Sequence, residues 1–241
     1  METSLYSLNS FPMLRDADSL DIAHPGIRHL RVDTIWIWDS SYERTLRHYI
    51  VLGAVKRTDP VLWYKPSCSP VVDRKNEVRE VVFDVTPLLE FHRMNSGISE
   101  NYYSYENVAR FLTDIFDVVR EVAKSKGLDH TVAIKHKRSQ SYHHDSRYLD
   151  YVSQLALACD NFEFLDEVSD IYETVDLSDI VISIPFTSTT HIAALRGTPA
   201  IFNDATSTLR QLSYSVGSSQ LVGGRADLLN FLNAQLTSRK S

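Results

Sequence analysis

Glycine is scarce in this chain: 8 in 241 residues, roughly half of the usual share of about 7%. None of the eight falls into a G-x-G-x-x-G or G-x-x-x-x-G-K-[ST] pattern, so the fingerprints of a dinucleotide-binding enzyme and of a P-loop NTPase are both missing. A G-x-S-x-G elbow is missing too, which removes the usual sign of an α/β-hydrolase. Only two cysteines occur, Cys68 and Cys159, with no C-x-x-C pair. That excludes a zinc ribbon, a thioredoxin-type site and a disulfide framework, and it points to a reducing compartment. No run approaches 18 apolar residues, so no membrane-spanning helix is expected. The first fifteen residues lack an apolar stretch behind a basic start, so no secretory signal is expected either. Basic charge is short: 25 Lys and Arg stand against 31 Asp and Glu, a net −6, the wrong sign for a general nucleic-acid binder.

What is present is ordinary globular material, 43% apolar and 23% charged, which excludes disorder along the whole chain. Residues 1–30 carry Pro12 and Pro25 and no sustained period. Asp33 to Trp38 and Val61 to Tyr64 read as short strands. Ser40 or Ser41 caps a helix running to Leu52, with Gly53 at its stop. Pro66 to Pro70 and the charged run Asp73 to Glu77 read as a loop. This divides the chain into a partial N-terminal segment over 1–77 and a main domain over 78–241.

From residue 78 the pattern alternates. Val78 to Val85 is a strand that Pro87 stops, since proline lacks an N–H and disfavours helix in the residue before it. Ser104 caps a helix whose Val108, Phe111, Leu112, Ile115, Val119 and Val122 recur at a period of 3.6, closed by Gly127. Strands follow at Thr131 to Lys135, Phe162 to Leu165, Asp179 to Ile184 and Pro199 to Asn203. Helices are expected from Asp145 or Ser146, over Val168 to Val175, over Thr189 to Leu195, and over 225–237. Strand–helix alternation of this kind predicts an α/β, Rossmann-like, mostly parallel sheet with helices on both faces. Ligands of such sheets bind beyond the carboxyl ends of the strands.

Polar clusters stand at four of those ends. Thr187, Ser188, Thr189 and Thr190 put four hydroxyls where a strand turns into a helix. There, unpaired N–H groups and the helix dipole favour an anion; plain N-capping is the simpler alternative. Lys135, Lys137 and Arg138 gather three cations in an acidic chain, suited to charge-assisted hydrogen bonds with phosphate or, failing that, to a solvated surface. Asp84 ends one strand and Asn203 and Asp204 another. His136, His143, His144 and Asp145 invite a metal reading, but no pair at i, i+4 on one helix supports it, so no metal is expected. His191 suits a phosphate contact or simple packing.

Several of these strings resemble the PFTS-motif proteins of bacterial surface-polysaccharide biosynthesis: Ser183 to Thr189 (SIPFTST), Gly197 to Asp204 (GTPAIFND), Phe83 to Pro87 (FDVTP), Tyr102 to Asn107 (YYSYEN) and Lys135 to Arg138 (KHKR), where the family more often reads KPKR. The resemblance implies the C-terminal half of a two-Rossmann-domain (GT-B) glycosyltransferase, similar to transferases that use CMP-activated acidic sugars such as Kdo and sialic acid. It implies that Lys135, Lys137 and Arg138 with Thr187, Ser188, Thr189 and Thr190 hold the donor phosphate. Asn203 and Asp204 would meet the nucleoside, and Asp84 is the candidate catalytic base or nucleophile. No separate cofactor is implied. The partners implied are a nucleotide-sugar donor, CMP-linked in preference, and a glycan acceptor, in the cytoplasm or at the inner face of the cell membrane. With 77 residues ahead of the main domain, too few for a complete second Rossmann unit, a full acceptor domain is not expected. The alternatives are therefore a non-catalytic nucleotide-binding half that works with a partner chain or a second copy, and a nucleotide-sugar epimerase or hydrolase.

Overall fold

The computed structural model describes residues 2–4, 30–37, 43, 47, 50–58, 77–95, 103–136, 141–185, 187–209 and 220–237. The expected caps Ser40 and Ser41, the strand expected at Val61 to Tyr64, the loop after it as far as Asn76 and the cations Lys137 and Arg138 lie outside these residues, while Glu77, read as the end of that loop, begins a strand. Nine strands form two sheets among the described residues. β1 (Glu2–Ser4), β2 (Arg31–Ile37) and β3 (Val51–Arg57) make a parallel sheet in that order. Six strands, β4 (Glu77–Phe83), β5 (Asp129–Lys135), β6 (Phe162–Leu165), β7 (Ile180–Ser183), β8 (Ala200–Asp204) and β9 (Gln220–Gly223), make the other, all parallel, in the order β6-β5-β4-β7-β8-β9. The helices are α1 (Glu90–Asn95), α2 (Tyr105–Lys126), α3 (Ser146–Ala158), α4 (Ile171–Asp176), α5 (Ser188–Leu195) and α6 (Gly224–Thr237). Among the described residues no helix is long and apolar enough to cross a membrane.

The alternation expected from residue 78 is the alternation found, and its punctuation works as local chemistry requires. The Ser104 hydroxyl accepts the Asn107 N–H at the start of α2, and Gly127 closes that helix at φ 62°, where its N–H reaches the Ala123 carbonyl. That left-handed conformation suits a residue without Cβ. Asp145 caps α3 by accepting the Arg147 N–H. Along β4, Val78 and Val82 pack with α2, α3 and α6, while Val81 and Phe83 pack with Val175 of α4 and Ile192 and Ala193 of α5. Period-2 alternation thus sends each strand's side chains into two different cores. For that reason the central strand β7 reads as an apolar run, Ile180 to Ile182, rather than as an alternating one.

Several features depart from the sequence reading, among them β1 within the stretch read as irregular and β3 where the expected helix was to end. Gly53 does not stop a helix; it lies inside β3, opposite β2. A Cβ there would stand 2.4 Å from the Asp33 carbonyl oxygen, so glycine is needed for the close approach of two backbones. The sixth strand, β9, and the short helix α1 were not expected. Both are shorter than the window in which periodicity registers.

The strand order places the ligand crevice. Numbered along the chain, the six strands lie as 3-2-1-4-5-6. After β4 the chain builds outward to β5 and β6, then returns to the other side for β7, β8 and β9. The topological switch therefore falls between β4 and β7, and a crevice opens at their carboxyl ends.

Candidate functional site

Sheet register decides which residues meet at that edge. Phe83 of β4 pairs with Lys135 of β5 on one side and with Ser183 of β7 on the other. One residue further on, Asp84, His136 and Ile184 leave the sheet level with one another. Side chains then sort by parity. Lys135 and Ser183 point to the α4–α5 face, and Asp84 and His136 to the face of α2 and α3. Between them lies a pocket of about 170 Å³, bordered by Asp84, Lys135, His136, Glu167, Thr187, Ser188 and Thr189. Three clusters that are far apart in sequence are therefore brought to one place.

The hydroxyls at the start of α5 do different jobs. Thr187 is the N-cap residue, yet its side chain makes no capping bond. Its Oγ1 donates to the Ile184 carbonyl at 3.2 Å and lies 3.1 Å from Thr189 Oγ1, which in turn lies 2.9 Å from Ser183 Oγ. This buried chain fixes the turn between β7 and α5. Thr190 is fully buried and reaches toward the Ile201 carbonyl of β8 at 3.4 Å, away from the pocket. Of the four, Ser188 is half-exposed on the pocket wall, and its hydroxyl bonds to no protein group among the described residues. The Thr187 side chain thus does not cap the helix, and the first turn of α5 borders the crevice, where a helix start leaves N–H groups without intrahelical partners.

On the opposite wall Asp84 is wholly covered. His136 Nδ1 donates to its Oδ2 at 3.1 Å, and its Oδ1 is buried with no hydrogen-bond partner. Burial pushes the Asp84 carboxyl above its ordinary value. Burial of His136 works against the imidazolium, but the hydrogen bond that the ring donates to Asp84 and the charge of that carboxylate outweigh this and hold the ring above its ordinary value. Tyr148 of α3 sits edge-on to the His136 ring, its Oη 3.3 Å from Nδ1. The sequence marks Tyr148 only as a core-facing helix position; its hydroxyl, fully buried at the head of α3, is the part that reaches the site.

Lys135 is a pocket residue, but its ammonium is already engaged. Nζ donates to the backbone carbonyls of Asp166 and Glu167 at 3.0 and 2.8 Å. It straps the β6–α4 loop, whose Glu167, Ser169 and Ile171 form the third wall. Burial lowers its proton affinity. Asn203 and Asp204 do not border the pocket. Asp204 accepts from the N–H and hydroxyl of Thr206 at 3.0 and 2.6 Å and from the Leu209 N–H at 2.7 Å, so it organises the turn after β8. Asn203 is fully buried, and both its amide atoms lack a hydrogen-bond partner among the described residues.

The histidine-rich stretch scatters rather than converging. His143 faces His92 at 3.1 Å, His144 Nδ1 accepts the Ser141 N–H at 2.9 Å, and His191 packs against the ring of Phe202. Among the described residues no three ligating side chains gather in one place. Tyr103, from the tyrosine-rich string, donates to the Pro185 carbonyl at 3.0 Å and so ties the head of α2 to the turn after β7.

Comparison with known proteins bears on the chain as a whole. The model of a family described as "Polysaccharide biosynthesis PFTS motif protein" matches residues 1–232. No curated protein matches the sequence. Among solved structures, one similar fold is that of a Listeria monocytogenes protein assigned as a UDP-N-acetylglucosamine 2-epimerase, at 13% identity and a TM-score of 0.49, covering 87% of this chain and 52% of that one. Another is a glycosylation-associated protein complex from Streptococcus agalactiae, at 15% identity and a TM-score of 0.47, covering 87% of this chain and 40% of that one. The chain thus spans about half the length of the first and two fifths of the second.

Proposed function

Because this chain belongs to the polysaccharide biosynthesis PFTS motif family, we propose that it binds a nucleotide-activated sugar at the β4–β7 crevice and transfers the sugar to a glycan acceptor. The observation that carries this reading is the uncommitted Ser188 hydroxyl at the head of α5, inside a pocket at the switch point of the sheet. A helix N-terminus supplies N–H donors and a favourable dipole to a phosphate, and an adjacent hydroxyl adds a donor without any glycine-rich loop. Lys137 and Arg138, next in sequence after His136, are proposed as further phosphate contacts. A CMP-linked sugar is the donor we favour, on the resemblance of the PFTS and KHKR strings to those of acidic-sugar transferases. Asp84 takes part in transfer as the group that sets the state of its neighbour His136. Residues 78–241 would form the donor-binding domain.

A second reading, a nucleotide-binding half that needs a partner chain or a second copy, is favoured by size. About 170 Å³ falls short of the roughly 300–1,000 Å³ of typical small-molecule sites. The described walls suit a phosphate and part of a sugar, and the remainder of the ligand needs a surface from elsewhere.

Both readings require nucleotide binding, which calorimetry with CMP, UDP and GDP tests directly. CMP is expected to bind most tightly. Ser188→Ala is expected to weaken it about tenfold, or about 1.4 kcal/mol, with stability changed by less than about 0.5 kcal/mol because the hydroxyl has no protein partner to lose. Unaltered affinity in Ser188→Ala would move the phosphate away from this turn. Tighter binding of UDP or GDP would overturn the acidic-sugar assignment. Turnover of a CMP-sugar by the isolated chain then separates the transferase from the partner-dependent half.

A further inference from the structure

We infer that His136 is the cationic contact for the phosphate of the bound nucleotide, and that Asp84 acts on the ligand only through it. The inference rests on the reading of the pocket as a nucleotide-sugar site. The two residues leave neighbouring parallel strands at the same level and on the same face, a consequence of the register Phe83↔Lys135. Of the pair, only His136 has side-chain surface to offer, at 11%, while the Asp84 side chain has none. The carboxylate that the sequence offers as a catalytic group is therefore sealed behind the imidazole.

Its surroundings hold that imidazole in one orientation. Nδ1 is taken by Asp84 Oδ2, with Tyr148 Oη close by. The Tyr148 ring meets it edge-on with centroids 5.8 Å apart, and the Phe164 ring lies 5.5 Å away at a tilt of 38°. With Nδ1 engaged, Nε2 is the nitrogen left for a ligand, and a carboxylate on Nδ1 favours the doubly protonated ring. Electroneutrality points the same way: Asp84 Oδ1 is buried with no hydrogen-bond partner among the described residues, so when this carboxyl is ionised the ring is the chief group that compensates its charge.

The other charges facing His136 sort by sign. Asp84 from the end of β4 and Glu167 from the β6–α4 loop favour the cation, Lys135 of β5 opposes it, and burial opposes it most; the carboxylates prevail. Lys135 is itself committed to the carbonyls of Asp166 and Glu167. Among the described residues of the pocket, His136 is thus the basic group whose charge remains available to a phosphate. Such a contact is strong below the folded-state pKa of the imidazole and fades as the pH rises through it.

The test is calorimetric binding to the full chain at pH 6 and pH 8.5, using whichever of CMP, UDP and GDP binds most tightly. The ligand phosphate ionises near pH 6, so the wild-type change is read against that of His136→Gln, where the ligand contributes equally. Wild type is expected to lose about tenfold more affinity across the interval than His136→Gln. Equal pH dependence in the two proteins would overturn the inference while leaving the nucleotide reading intact, and absence of binding by wild type to all three nucleotides would overturn both. A measurement that needs no variant runs alongside: the NMR titration of the His136 ring, which is expected to shift to higher pH when the nucleotide is added. An unmoved titration would place the phosphate elsewhere. Asp84→Asn is expected to shift the titration of the free protein to lower pH, and no shift would show that Asp84 does not govern the ring.

Discussion

Replacing His130 by alanine is expected to destabilise the fold by about 3–5 kcal/mol, a fall in melting temperature on the order of 10 °C for a chain of this size. His130 of β5 and Glu80 of β4 form a pair in the interior of the six-stranded sheet. Their relative exposures are 4% and 0%, with Nδ1 and Oε1 2.6 Å apart. Glu80 Oε2 has no hydrogen-bond partner among the described residues, and His130 is the chief group offsetting the desolvation of this carboxyl, with a smaller contribution from the Glu80 backbone. Without it, Glu80 must stay charged and uncompensated or take up a proton. Each pKa unit of that uptake costs about 1.4 kcal/mol at a pH above the folded-state value.

The sign of the pH dependence follows from Glu80. Burial raises its pKa above the ordinary 4.5, with the hydrogen bond and charge of His130 pulling the other way. A carboxyl with a raised folded-state pKa binds more protons in the native than in the unfolded chain between the two values. Its contribution is full below pH 4.5 and is lost as the pH rises through the folded-state value. The His130→Ala protein is therefore expected to lose stability more steeply with rising pH than wild type. Denaturant melts at several pH values measure this. Adding Glu80→Gln should flatten the excess slope, and a slope equal to that of wild type would mean that the pair is not coupled as the geometry requires.

Asp204→Ala is the second large effect expected, a loss of about 2–4 kcal/mol with nucleotide affinity nearly unchanged. The carboxylate is fully buried and accepts from two backbone N–H groups, those of Thr206 and Leu209, and from the Thr206 hydroxyl. An orphaned buried donor costs about 1–3 kcal/mol, somewhat less where water reaches it, and the residues of this turn are partly exposed. As a nucleoside contact, its implied role, Asp204 would show the reverse: modest destabilisation and a marked drop in affinity. Thermal melts and calorimetry on the one variant separate the two outcomes.

Much of the fold is legible before folding. Caps such as Ser104, Gly127 and Asp145, the 3.6 period of α2 and the apolar run of β7 all express interactions within about four residues of each other. A single sequence displays these directly. The polar clusters at the strand ends were legible for the same reason, since alternation of strands and helices locates carboxyl edges without any knowledge of strand order. Gly53 shows where this stops. Locally it reads as a helix stop, and only the approach of the Asp33 carbonyl, twenty positions away, explains it.

By itself, then, the sequence determined the alternating α/β class, most element positions from residue 78 onward, and the short list of polar groups near the crevice. Tertiary structure decided what each group does there. Asp84 and His136 are 52 positions apart, Lys135 and Asp166 are 31 apart, and Glu80 and His130 are 50 apart. Whether a carboxylate is sealed behind an imidazole, a lysine strapped to a loop, or a hydroxyl left free depends on strand order and register. Those are set by how two separate apolar cores pack against the two faces of one sheet. No local window contains that packing, because period-2 and period-3.6 patterns specify which face of an element is buried but not which neighbour it is buried against.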